Sequence, residues 1–189
     1  MVDKTVQQIE KDVRDILKQV GDDPQRAGVF ETPQRVAKMY QEVLAYQGQT
    51  DFKDYKLFET EIVDDDQLVL MQAIPFYSMC EHHMLPFFGQ VNVAYLPAEG
   101  RIIGLSKIPR LVDFVSKRLS VQENLTRDIG QILNQILAPQ GVAVQVTARH
   151  MCVEMRGIKK ATSQTLTTFY SGQFKTDRQL RNEFLQLLK

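Results

Sequence analysis

Every thiol and every imidazole in this chain falls in one of two short segments. Cys80-Glu81-His82-His83 holds one of the two cysteines and two of the three histidines, and His150-Met151-Cys152 holds the others. Residues placed at random rarely cluster in this way, whereas a metal site assembled from two distant pieces of chain requires it. Two cysteines are too few for a disulfide framework. In a reducing compartment, thiols beside imidazoles point to metal binding or catalysis. The remainder of the chain is therefore read as the scaffold that brings the two segments together, with the groups they act on.

At 189 residues the chain can build one sizeable domain, or a domain with a helical extension. Its formal net charge is zero, which argues against nucleic acid or an acidic membrane as a broad electrostatic partner. No apolar run reaches the roughly 18 residues a membrane span needs. Met1 to Val20 is charged and periodic and lacks a signal-peptide core, so the expected compartment is the cytoplasm.

Val6, Ile9, Val13, Ile16 and Val20 recur at helical spacing, and Gly21-Asp22-Asp23-Pro24 ends that helix. Thr32-Pro33 restarts one, with Thr32 read as its N-cap, and Val36, Met39, Tyr40, Val43 and Leu44 line its apolar face. Residues 51–66 are polar and end in Asp64-Asp65-Asp66, which reads as a solvated linker. Beyond Leu68 the pattern turns β-like. Val91, Val93 and Tyr95 alternate with polar or small residues, and Arg101 to Leu105 reads as a returning strand. Two amphipathic helices follow, one carrying Ile108, Leu111, Val112, Val115 and Leu119, the other Leu125, Ile129, Ile132, Leu133, Ile136 and Leu137. A strand begins at Val142, another spans Thr165 to Phe174, and a helix over Arg178 to Leu188 closes the chain. Strands, two helices and strands again predict an α+β domain, an antiparallel sheet with helices on one face, preceded by an N-terminal helical region.

In the strand from Val142, the even positions are Val142, Val144, Val146, Ala148, His150 and Cys152, so alternation turns His150 and Cys152 to the buried side. Cys80 and His83 are three apart, and both can face one ion only if the chain turns between them; Pro75 and Pro86 flank such a turn. Cys80, His83 and Cys152 then supply three protein ligands and leave a fourth position for water, the pattern of catalytic zinc. His82 and His150 remain as acid–base groups. The competing reading is inert core thiols and hydrogen-bonded structural histidines.

Gly104-Leu105-Ser106-Lys107 leads into the first central helix. Lys107 and Arg110 share a face beside its N-terminus, and Ser106 can cap it, which together suit an anion. Arg156 lies four residues beyond Cys152 and can add a cation. Ser120-Val121-Gln122-Glu123 fits a capping box, while Glu123 could instead accept paired N–H donors of a ligand.

Taken together, Met79-Cys80-Glu81-His82-His83, Gly104-Leu105-Ser106-Lys107, Val121-Gln122-Glu123, His150-Met151-Cys152 and Arg156-Gly157 resemble GTP cyclohydrolase I. So do Thr32 to Tyr40, Gly172-Gln173-Phe174 and Arg181 to Leu185, in the family's order over essentially the whole chain. The resemblance implies a tunnelling fold (T-fold), with a helical region over 1–60 and a catalytic domain over 61–189. It also implies a homo-oligomeric ring, a decamer in the family, with active sites between subunits. Zinc is implied at Cys80, His83 and Cys152, with catalytic roles for His82 and His150. Gln122 and Glu123 are implied to meet the guanine of GTP, and Ser106, Lys107, Arg110 and Arg156, with Arg35 as an additional contact, its triphosphate. Asn124, Phe169 and Ser171 depart from the family's usual pattern. Two other classes are weaker. A non-catalytic zinc module needs a fourth ligand from His82 or His150, and a metalloprotease needs a His-Glu-x-x-His helix that this sequence lacks.

Overall fold

The structure is a computed structural model that describes residues 4–60 and 67–189. It divides into two compact units, Met1–Ala45 and Tyr46–Lys189. The acidic run Asp64-Asp65-Asp66 lies outside the described residues.

The first unit is a helical pair, α1 (Lys4–Gln19) and α2 (Thr32–Val43), packed on each other. Thr32 is the first helical residue rather than the cap. Glu31 holds the N-cap position without a side-chain bond, and Pro33 sits in the first turn, where its missing N–H costs nothing.

The second unit begins with β1 (Leu57–Glu59), β2 (Val69–Cys80), β3 (Pro86–Leu96) and β4 (Arg101–Ile103). Next come α3 (Lys107–Ser116), β5 (Leu119–Ser120), α4 (Gln122–Leu137), β6 (Gly141–His150) and α5 (Met151–Glu154). The chain finishes with β7 (Thr165–Tyr170), α6 (Gln173–Thr176) and α7 (Arg178–Leu187). Five strands form one sheet in the order β5-β2-β3-β6-β7, antiparallel apart from the short parallel contact of β5 with β2. The alternation in β3 and β6 buries Val91, Val93, Tyr95, Val142, Val144, Val146 and Ala148 on one face. Against them lie Ile108, Leu111, Val112 and Val115 of α3 and Leu125, Ile129, Leu133 and Leu137 of α4, all 2% exposed or less. Each such side chain contributes about 1.5–3 kcal/mol of burial, so this face dominates the fold. On the opposite face, Ala94, Leu96 and Ala143 are covered by Phe174 and Phe184 from the terminal helices. Asp177 starts α7 by accepting from the N–H groups of Gln179 and Leu180.

Two expectations change. The stretch before residue 61 is not all solvated linker: Phe52 is buried and packs 5.3 Å from the Phe114 ring, and Leu57–Glu59 pairs with Arg101–Ile103. The strand after the turn at Gly100 thus joins β1 rather than returning onto β3. Gly100 has φ +68°, and an added Cβ would lie 2.5 Å from the Thr60 carbonyl oxygen, so this approach needs glycine.

Candidate active site and metal centre

The two cysteine–histidine segments meet because of strand register. β2 and β3 form a hairpin whose turn occupies residues 81–83. Cys80 N–H donates to the Leu85 carbonyl at 2.9 Å, and Met84 N–H, at a residue with φ +52°, donates to the Cys80 carbonyl at 2.8 Å. This turn brings His83 back beside Cys80, which a continuous strand cannot do. Across the next ladder Phe87 pairs with His150, so the end of β6 lies beside the hairpin. On the other side Cys80 pairs with Ser120, which brings up the start of α4.

Cys152 arrives by a helical turn and not by strand alternation. β6 stops at His150, and Met151–Glu154 forms α5, closed by Met155 N–H donating to the Met151 carbonyl. Arg149 and Glu154 brace this turn with paired bonds of 2.8 and 2.6 Å. The donor atoms of Cys80, His83 and Cys152 lie within 4.8 Å of one another. Both thiols are free, with Cys80 buried and Cys152 partly so. Burial first, and then the neighbouring Cys80, pushes the Cys152 thiol above its ordinary range. Each thiol disfavours ionisation of the other, and a dication binding both as thiolates removes the conflict. Among the described residues no fourth Cys, His, Asp or Glu joins the set, so these three fit a metal with an open position.

His150 is the less exposed catalytic candidate. Its ring stacks on Phe87, with centroids 4.9 Å apart and planes 2° apart, and its Nε2 is 2.8 Å from Gln122 Oε1. Burial lowers its pKa, opposed by the charges of Glu123 and Glu154. His82 is exposed in the turn, with Nδ1 3.7 Å from Cys80 Sγ.

The capping-box expectation fails. Ser120 is taken up in β5, its hydroxyl donates to the Val121 carbonyl, and extended Val121 occupies the N-cap position of α4 without a side-chain bond. Ser106 likewise precedes α3 in helical conformation without capping it. Glu123 projects from the first turn of α4 and is exposed, whereas Gln122, expected at the guanine, is 1% exposed with its amide bonded inside the chain. Lys107 Nζ and Arg110 Nη1 both reach Asp54, each at 2.5 Å. A groove of about 750 Å³ runs beside this clamp, lined by Phe52, Asp54, Arg110 and Phe114 among others. None of the three metal donors lines it. The Arg156 charge is felt at Cys152 and favours its thiolate. Arg35 belongs to the first unit, where it pairs with Glu31.

A family model described as GTP cyclohydrolase I matches residues 9–189. The chain belongs to the GTP cyclohydrolase I family. A GTP cyclohydrolase 1 of Latilactobacillus sakei subsp. sakei is 87% identical over 189 residues, covering 100% of both chains. One of Lactiplantibacillus plantarum is 55% identical over 187 residues, covering 98% of each. One of Thermoanaerobacter pseudethanolicus is 48% identical over 189 residues, covering 100% of this chain and 98% of that one. Two of the positions read in the sequence as departing from the family's pattern have local partners. Phe169 packs against Gly130 of α4. The Ser171 hydroxyl accepts from Val142 N–H and donates to Asn134 Oδ1. Asn124 lies in the first turn of α4, and nothing in the structure accounts for its choice.

Sequence reasoning missed Phe87 and Asp54. The Phe87 contact follows from a register that no local pattern announces. Asp54 is far in sequence from both cations it binds and sits in a stretch read as linker.

Proposed function

We propose that the metal held by Cys80, His83 and Cys152 is zinc and that this centre opens the guanine imidazole ring of GTP. GTP cyclohydrolase I activity itself follows from family membership: hydrolysis at guanine C8, release of formate, and rearrangement to 7,8-dihydroneopterin triphosphate, the entry to folate and pterin synthesis. The observation that carries the metal reading is the convergence of a free thiol and an imidazole at a β-hairpin turn with a second free thiol from a distant helical turn. When bound, zinc supplies the Lewis acidity that makes water a nucleophile near neutral pH.

The chain's own residues do the rest. His150 or His82 gives a proton to the ring nitrogen beside C8, which makes that carbon electrophilic. Glu123, exposed at the start of α4, accepts the paired N–H donors of the guanine edge. Ser106, Lys107, Arg110 and Arg156 hold the triphosphate, with Arg35 as an additional contact. Water adds at C8, the ring opens, and a second hydrolysis releases formate. The ribose then opens, rearranges by an Amadori-type step and closes onto the freed amine. We assign Met1–Ala45 to the helical region and Tyr46–Lys189 to the catalytic domain, in a cytoplasmic homodecamer with sites between subunits. This boundary is earlier than the 60/61 expected from the sequence because Phe52 and β1 pack with the sheet unit. Large apolar side chains left exposed at Tyr77, Met155, Ile158 and Leu166 support such an assembly.

The test is to incubate zinc-loaded protein with GTP and measure formate and, after oxidation, a fluorescent pterin. Absence of both products sinks the reading. His82→Ala and His150→Ala should each lower turnover by about 10²–10⁴-fold with zinc retained. Loss of zinc in either variant instead moves that histidine into the ligand set.

A further inference from the structure

Gln122 stands directly behind His150, and its hydrogen bonds have only one consistent direction. The side-chain nitrogen lies 3.1 Å from the Val146 carbonyl, 3.0 Å from the Thr165 carbonyl and 3.1 Å from Thr167 Oγ1. Two of these are main-chain oxygens that can only accept, so the NH₂ end of the amide must face them. The Thr126 hydroxyl uses its single proton on the Gln122 carbonyl at 2.8 Å. The 2.6 Å contact between Thr126 and Thr167 therefore takes its proton from Thr167, which leaves the Thr167 lone pairs to accept from Gln122. With the nitrogen committed, Oε1 is the atom that meets His150 Nε2 at 2.8 Å. An amide oxygen has no proton to give, so Nε2 must carry the hydrogen. The Phe87 stack fixes the ring plane, and no hydrogen bond of His150 Nδ1 is made among the described residues.

We propose that Gln122 is a positioning residue that holds His150 as the Nε2–H tautomer, so that Nδ1 is the nitrogen exchanging a proton with the substrate. This rests on the reading of His150 as an acid–base group. The charged ring carries hydrogen on both nitrogens. The proton leaves Nδ1 for the guanine nitrogen beside C8, and the neutral ring that remains is the form Gln122 already favours. Gln122 then acts through His150 instead of by touching the guanine, and base recognition at this corner falls to Glu123.

The direct test needs no change at Gln122. In zinc-loaded protein labelled with ¹⁵N-histidine, long-range ¹H–¹⁵N correlation above the histidine titration range reports the tautomer of each of the three rings. His150→Ala identifies the relevant signals. The Nε2–H pattern is expected, and an Nδ1–H pattern overturns the proposal. In Gln122→Leu, kcat should fall at least tenfold with KM for GTP held within about twofold, and the tautomer signal should become mixed. A raised KM with kcat kept would mean that Gln122 touches the base, and overturns it too. Should Gln122→Leu fail to fold, the wild-type spectrum still decides. Full turnover in His150→Ala would remove the catalytic reading while leaving the tautomer assignment standing, so the two failures are separable.

Discussion

Gly130 offers the sharpest test of how α4 is seated on the sheet. It lies in mid-helix, where glycine costs about 1 kcal/mol relative to alanine. A Cβ built there would sit 2.1, 2.4 and 2.8 Å from three atoms of the Phe169 ring on β7. Ordinary contact begins near 3.4 Å, so the ring would have to retreat by more than an ångström. Overpacking of this kind costs about 1–3 kcal/mol, and three ring atoms in conflict place it toward the upper end. Offset by the helix-propensity gain, Gly130→Ala should lose roughly 1–2 kcal/mol. In a Phe169→Leu background the clash is relieved, and the same change should gain up to about 1 kcal/mol. Urea unfolding at fixed protein concentration and zinc loading measures both, and the double-mutant cycle isolates the coupling. A neutral or stabilising Gly130→Ala in the wild-type background would refute the reasoning, because the ring would then move at no cost.

Two further outcomes follow from the site. Cys80→Ser and Cys152→Ser should each lose bound zinc, measured by metal analysis after desalting, while the equally sulfur-bearing Met151→Leu should retain it. Asp54→Asn removes a carboxylate that competes with triphosphate for Lys107 and Arg110, so KM for GTP should fall by about two- to fivefold. Hydrogen bonds from Lys107 and then Arg110 hold the Asp54 carboxyl below its ordinary range. The stability the clamp gives is therefore present above the ordinary carboxylate range and lost as pH falls through the lowered value. The excess urea stability of wild type over Asp54→Asn should disappear on that acid side.

The grouping of Cys80, His83 and Cys152 was legible because thiols and imidazoles are scarce in this chain and fall together. The helices α3 and α4 were legible because their apolar stripes are long and regular. What was not legible depended on pairing across distance. Ser120-Val121-Gln122-Glu123 carries a good local capping signal, yet Ser120 is claimed by the parallel pairing with Cys80, and the helix starts one residue later than a Ser120 cap would place it. Cys152 was expected on the right side for the wrong reason. Alternation ends at His150, and the Arg149–Glu154 pair braces the helical turn that delivers the thiol. Glu123 could not be chosen between cap and ligand from its spacing alone. The β5 pairing of Ser120 removes the capping box and leaves Glu123 exposed in the first turn of α4.

A single irregularity in β2 decides whether this site exists. Before it, Val69 and Met71 pack on the main core; after it, Ile74, Phe76 and Cys80 do, so the inward phase passes from odd to even positions. The switch is a β-bulge: Met71 pairs with Val93 but Ile74 with Val91, three steps against two. Without it, alternation would turn Cys80 to the opposite face from α3 and α4. The bulge is held by Asn92, whose Oδ1 accepts from Ala73 N–H at 2.8 Å, where Ala73 has φ +55°. Its Nδ2 donates to Gln145 Oε1, also at 2.8 Å, so one side chain ties β2, β3 and β6 together. Asn92→Ala should therefore cost about 1–3 kcal/mol for two lost hydrogen bonds and a strained N–H left without its partner. It should also weaken zinc binding, because the same pairing sets where Cys80 lies relative to His150. A variant that loses stability yet keeps full zinc affinity and turnover would show that the apolar phase alone places Cys80, with Asn92 merely following it.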